Sequence, residues 1–366
     1  MALKNLLRFL GASIAIILMA AALNYVVDPL QLFRRASLFT AMYSPDTRMQ
    51  DAGLIRSQDF DTVLMGTSLA IHFRQSDIDR ILGVRSLKLS MTGSSSREQS
   101  FVLDAAMVRH PKRVIWQIDD WIFRDVPDVE SDVYLPSGLY RRSVTGLVGY
   151  LFNGQMARES LWIMARSLPT LEPVVARLTS DLVFKFPVHN VDDINALPPD
   201  DDPAGSYNAK KSTAAYRRII DPVRSRYLAE GYDYEAMVRA FERDTVGLIA
   251  NHPEVTFDIY LPPYSILHFV AMREASPPTL KIVYDFTAYA FPRLLGLPNV
   301  RLHDFRDVSD VTHDLSNYGD VIHHSPAIDM KVLSWLATGK YVVERTAPLA
   351  SLDRLKAQVE AYRVER

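Results

Sequence analysis

The sequence predicts an α/β fold built on a parallel sheet, and three observations carry that expectation. Short apolar runs alternate with stretches of helical period, as strands joined by crossover helices do. Glycine, serine and aspartate clusters follow the apolar runs directly, where a parallel sheet exposes its carboxyl-end chemistry. A charge-free N-terminal run stands apart from both patterns.

That run extends over residues 9–27, where only Ser13 and Asn24 are appreciably polar. At about 1.5 Å rise per residue it spans roughly the ~30 Å hydrocarbon core of a bilayer. Lys4 and Arg8 precede it, so the short N-terminus is expected to stay cytoplasmic and the rest to cross. A cleavable signal is the rival, since Ala20-Ala21-Ala22 fits a small-residue cleavage pattern, but apolar character continues past it to Val27. Residues 1–28 are read as stub and anchor, and 29–57 as a connecting segment. Strands are expected over 60–65, 86–89 and 113–118, with helices over 75–82 and 97–109 between them. Over 125–232 the pattern breaks. The apolar Leu161-Trp162-Ile163-Met164 and a Pro/Asp-rich stretch at 197–203 mark a mostly helical insertion shaping the cleft. The core resumes with a helix over 234–250, a strand over 255–261 and a helix over 278–295. A strand over 300–303, a helix over 325–336 and a closing amphipathic helix over 347–366 complete it. The core domain is therefore 58–124 with 233–366.

Composition narrows the chemistry. Charged residues are 23%, hydrophobic ones 48%, and the net charge is −2, an ordinary globular balance without the basic stripe a nucleic-acid surface requires. There is no cysteine, which removes disulfides, thiolate catalysis and cysteine-ligated zinc. No cofactor is expected.

Four separated blocks converge at one sheet edge if the chain folds this way. Ser68, in Gly66-Thr67-Ser68-Leu69, follows the first strand; read alone, such a serine is an N-cap. Asp320 and His323, one helical turn apart, share a face, so the carboxylate can hold the imidazole while its second nitrogen takes a serine proton. The bland alternative is a capping aspartate beside a surface histidine. His324 is a competing base, pointing roughly 100° away if the turn is helical. Gly93, in Thr92-Gly93-Ser94, serves either a turn of positive φ or a backbone N–H near an oxyanion. Arg97 is either a solvated helix residue or a rim contact for a ligand. Of Asp119 and Asp120, alternation lets only one face the site, and Asp119 is expected there. Trp116 and Trp121 are expected in the core.

Together the blocks resemble the SGNH (GDSL-type) hydrolase superfamily over about residues 58–125 and 250–340. The resemblance implies a flavodoxin-like three-layer α/β/α sandwich. It implies Ser68 as nucleophile, His323 as base, Asp320 as its orienter, and the Ser68 and Gly93 amides as oxyanion donors. The family's third block is Gly-x-Asn-Asp, whereas this chain has Gln117-Ile118-Asp119-Asp120. An ionised aspartate only accepts hydrogen bonds and cannot replace the asparagine donor.

With its anchor, the chain resembles a membrane-anchored subgroup, the alginate O-acetylation proteins and the lipoteichoic-acid D-alanylation protein. That resemblance implies a membrane-bound O-acyltransferase partner and transfer or removal of a small acyl group on a cell-envelope polysaccharide. The domain would face the periplasm, or the extracytoplasmic side of the cytoplasmic membrane. A non-catalytic polysaccharide-binding or assembly subunit is the alternative.

Overall fold

A computed structural model describes residues 2–125, 135–168, 170, 190–194, 205–222 and 224–364. It divides into two compact units, Met1–Asp59 with Asp132–Ile194, and Phe60–Ser131 with Asn195–Arg366.

The second unit is α/β, with a five-stranded sheet. The strands are β1 (Thr62–Gly66), β2 (Ser86–Ser90), β3 (Arg113–Gln117), β4 (Thr256–Leu261) and β5 (Val300–Asp304). They lie in the order β2-β1-β3-β4-β5, and every pair is parallel. Leu64, Ile115, Ile259 and Leu302 are fully buried, as in a sheet whose strands read as continuous apolar runs. Burying one such side chain contributes about 1.5–3 kcal/mol. Leu64, Ile115 and Tyr260 pack with Ile78, Ile328 and Val332 from the helices Gln75–Leu82 and Pro326–Thr338. A second cluster gathers the helix Ile266–Ala275, the helix Ala350–Ala361 and Val321.

Parallel pairing puts Gly66, Ser90, Gln117, Leu261 and Asp304 at one edge. From β1 the chain moves to one neighbour, β2, and then returns to the other, β3. The order therefore reverses between β1 and β3, the crevice where open α/β sheets bind ligands.

Expected elements and observed ones agree closely for every strand. The helix expected over 234–250 is interrupted by a π-helical turn, Glu242–Val246, whose Asp244 accepts a 2.7 Å hydrogen bond from Ser96 Oγ. Among the described residues, the helices Thr47–Ser57 and Ile266–Ala275 and the single turn Ser309–Thr312 were not anticipated.

The first unit begins with the helix Ala2–Val27, within which Leu3–Val27 is long and apolar enough to cross a membrane. The helices Thr47–Ser57, Val144–Leu151 and Gly154–Ser167 belong to the same unit. Of the 125–232 segment, 132–194 groups with the N-terminal segment, and 125–131 and 195–232 group with the sheet. The Pro/Asp-rich stretch at 197–203 lies outside the described residues.

Candidate active site

Ser68 stands where β1 gives way to a single 3₁₀ turn, Ser68–Ala70. Its hydroxyl does not cap that turn. Ser68 Oγ lies 2.9 Å from His323 Nε2, and His323 Nδ1 lies 2.7 Å from Asp320 Oδ2. Residues 255 positions apart in the chain thus meet in hydrogen-bonding order. Asp320 Oδ1 accepts from the backbone N–H of Ile322 at 2.8 Å and of His323 at 2.7 Å. One carboxylate oxygen shapes the loop while the other orients the imidazole.

The loop that carries the pair is irregular, with backbone hydrogen bonds pinching it shut. Gly319 N–H donates to His323 O at 3.0 Å, and Ser325 N–H donates to Asn317 O at 2.8 Å. Tyr318 is fully buried and donates to Pro263 O at 2.7 Å. The helix Ala209–Ile219 supports the loop from outside, with Ser212 Oγ donating to Leu315 O at 3.1 Å. The side chains of His323 and Asp320 remain 42% and 39% exposed, so the pair is open to solvent. Burial opposes the charge on Asp320, but His323 and the two backbone donors outweigh it and hold its carboxyl below the ordinary range.

His324 is excluded as the base. It is buried, its Nδ1 lies 3.6 Å from Asp329, and burial pushes its pKa down to about 4. The turn is not helical; an antiparallel bridge between Tyr318 and His324 directs that residue away.

The remaining predicted residues fall differently. Gly93 sits in the turn after β2 with φ +65°, and an added Cβ would meet nothing within 4 Å. Conformation therefore requires glycine there, and space does not. Arg97 is exposed on the first turn of the helix Ser96–Met107. Asp119 and Asp120 are both buried. Alternation failed to separate them because β3 ends at Gln117 and the backbone turns at Asp120. Burial first, and the Asp120 charge second, push the Asp119 carboxyl up to about 7. Trp116 is core, whereas Trp121 is 37% exposed under the Arg124 guanidinium.

Sequence reasoning missed Gln117. Its Oε1 accepts from Thr67 N–H at 2.8 Å and from Thr67 Oγ at 3.1 Å, while its Nε2 donates to Asp119 Oδ2 at 2.7 Å. The amide therefore fixes the residue beside Ser68 and is itself oriented by Asp119. Gly66 belongs to the same device, since a Cβ there would press on Gln117 Oε1 at 2.7 Å. A fully buried glutamine ending an apolar strand is the signal that marks it. Tyr232 was missed as well; its hydroxyl donates to Asp120 Oδ2 at 2.8 Å.

No family model matches this chain, and no curated protein matches it either. The chemistry is therefore read from the geometry alone. Among the described residues no three His, Asp or Glu side chains group as a metal site. What the arrangement provides is a hydroxyl, a base and an orienting carboxylate in series, the requirement for nucleophilic catalysis.

Proposed function

We propose that this protein is a membrane-anchored serine acyltransferase or esterase of the SGNH type. The observation that carries the reading is the unbroken series Ser68 Oγ to His323 Nε2 and His323 Nδ1 to Asp320. Ser68 attacks the ester carbonyl as His323 Nε2 takes its proton. The carbonyl–oxygen bond of the donor then breaks, and His323 returns the proton to the departing hydroxyl. An acceptor hydroxyl or water gives its proton to His323 and attacks the acyl-serine; the acyl carbon–Oγ bond then breaks and His323 returns the proton to Ser68 Oγ. The backbone N–H groups of Ser68 and Gly93 are the donors assigned to the oxyanion. Two such donors without the family's asparagine supply less stabilisation, since each is worth about 10²–10³ in rate.

The strand order supports a flavodoxin-like, three-layer arrangement, because its reversal lies between β1 and β3. The half-exposed His323 and Asp320 support a large acceptor, for which we infer a cell-envelope polysaccharide. The apolar helix Leu3–Val27 supports anchoring in the cytoplasmic membrane beside an O-acyltransferase that brings the acyl group across. Substitution Ser68→Ala should lower hydrolysis of a chromogenic acetyl ester by roughly 10⁴-fold or more and abolish labelling by a fluorophosphonate probe. Retained turnover in that variant overturns the assignment.

A further inference from the structure

The helix Val144–Leu151 has the sequence Val-Thr-Gly-Leu-Val-Gly-Tyr-Leu, without a single charge. Its inward side is accounted for. A Cβ at Gly146 would strike the Gly138 backbone, and Tyr150 is buried, its hydroxyl donating to Asp28 Oδ1 at 3.0 Å. The opposite side carries Val144, Val148 and Phe152 at helical spacing, exposed by 78%, 47% and 47%. A helix facing water places polar residues outward; this one places valines and a phenylalanine there.

Its position within the first unit says what covers that side. Asn24 Nδ2 donates to Leu151 O at 2.8 Å and to Asn153 O at 3.2 Å, and Asn24 Oδ1 accepts from Ser160 Oγ at 2.9 Å. Asn24 lies three residues before the end of the helix Ala2–Val27, about 4.5 Å along its axis. The C-terminal end of the short apolar helix is thus fastened about one turn inside the end of the long one. Interface chemistry surrounds this level. The Arg34 guanidinium lies 4.7 Å above the Tyr25 ring and donates to the Tyr25 and Val26 carbonyls. Arg141 and Arg142 are exposed just before the short helix. Aromatic rings and basic side chains at the end of an apolar span are what the headgroup region selects.

We propose that Val144–Leu151 with Phe152 forms a second membrane contact, lying in the headgroup–acyl boundary of a phospholipid bilayer at the Val27 end of the span. The proposal rests on the reading that Leu3–Val27 crosses a bilayer. The contact would hold the first unit against the membrane surface in addition to the tether. Because the chain has no cysteine, single labels are clean. Val148→Cys, Phe152→Cys and Ile16→Cys, each carrying an environment-sensitive dye, are reconstituted as full chains in phosphatidylethanolamine/phosphatidylglycerol vesicles. Quenching is then read from aqueous iodide and from spin-labelled lipids with shallow or deep labels. The expected result is loss of iodide quenching at 148 and 152 with strong quenching by the shallow lipid label, and deep-label quenching at 16. Iodide quenching at both 148 and 152, with position 16 still deep, overturns the proposal and leaves the span intact. Shielding from iodide without lipid quenching overturns it in favour of a protein partner. Iodide quenching at 16 overturns the span itself.

Discussion

The sheet unit and the N-terminal unit are held together by different chemistry. In the former, Leu64 and Ile115 on neighbouring parallel strands and Val332 on the helix Pro326–Thr338 are fully buried against one another. In the latter, single polar side chains gather backbone groups that no regular ladder satisfies. Asp28, at φ +52°, accepts from the backbone N–H groups of Leu32, Phe33 and Arg34 and from the Tyr150 hydroxyl. Gln50 donates to Leu30 O at 3.3 Å and accepts from Ser44 N–H at 2.8 Å; Arg56 donates to the Leu32, Leu139 and Tyr140 carbonyls. The difference teaches where each unit is fragile. Apolar volume is the weak point of the sheet unit, and polar satisfaction is that of the N-terminal unit.

That contrast breaks or sharpens under four substitutions. Leu64→Ala should destabilise the sheet unit most, by about 2–5 kcal/mol, read by hydrogen exchange of the strand amides in micelles. Asp28→Ala strands three N–H groups and a hydroxyl and should cost about 2–3 kcal/mol, with faster exchange confined to the N-terminal unit. An effect no larger than that of a surface change would collapse the distinction. Within the sheet unit, Gln117→Met keeps volume but releases Thr67. We expect a roughly 10–100-fold fall in ester turnover with strand-amide protection retained. Loss of protection in step with activity would make Gln117 a core residue only.

The smallest effect concerns Asp119. Folding raises its pKa from about 3.9 to about 7, so the folded state favours the protonated carboxyl. Its stabilising contribution is complete below about pH 4 and is lost as pH rises through about 7. Asp119→Asn should therefore flatten the fall in melting temperature between about pH 4 and 7, by roughly 2–4 °C. An unchanged slope would show that this carboxyl does not titrate there. Because the variant also installs the asparagine of the SGNH pattern, its turnover tells whether the buried side chain reaches the oxyanion.

Legibility followed the same divide. The strands could be read because each is an uninterrupted apolar run closed by small or polar residues. The helix Ile266–Ala275 escaped because Ile266, Leu267, Phe269, Val270, Ala271 and Met272 are all buried, which erases the helical period, and Pro262-Pro263 before it reads as a terminator. The helix Thr47–Ser57 escaped because its buried residues, Gln50, Asp51, Ala52, Gly53, Leu54 and Ile55, form a consecutive run of mixed polarity that shows no helical period. Gly53 is needed because a Cβ there would fall on the Leu30 carbonyl oxygen, a proximity no spacing announces. At the site, Ser68, Asp320 and His323 were readable from residue type and block order. Gln117 was not, because its role exists only once β3 lies beside β1.

From sequence alone came the periodicities that make strands and helices, the apolar N-terminal helix, and the residue types able to transfer a proton. Local pattern suffices for these because each depends on neighbours within a few positions. Tertiary structure alone decided that Ser68, His323 and Asp320 come within hydrogen-bonding distance, that Gln117 holds Thr67, that Asp119 is buried, and that 132–194 groups with the N-terminal segment. Those outcomes turn on loop closure, burial and contacts between residues far apart in the chain, whose energies no local spacing encodes.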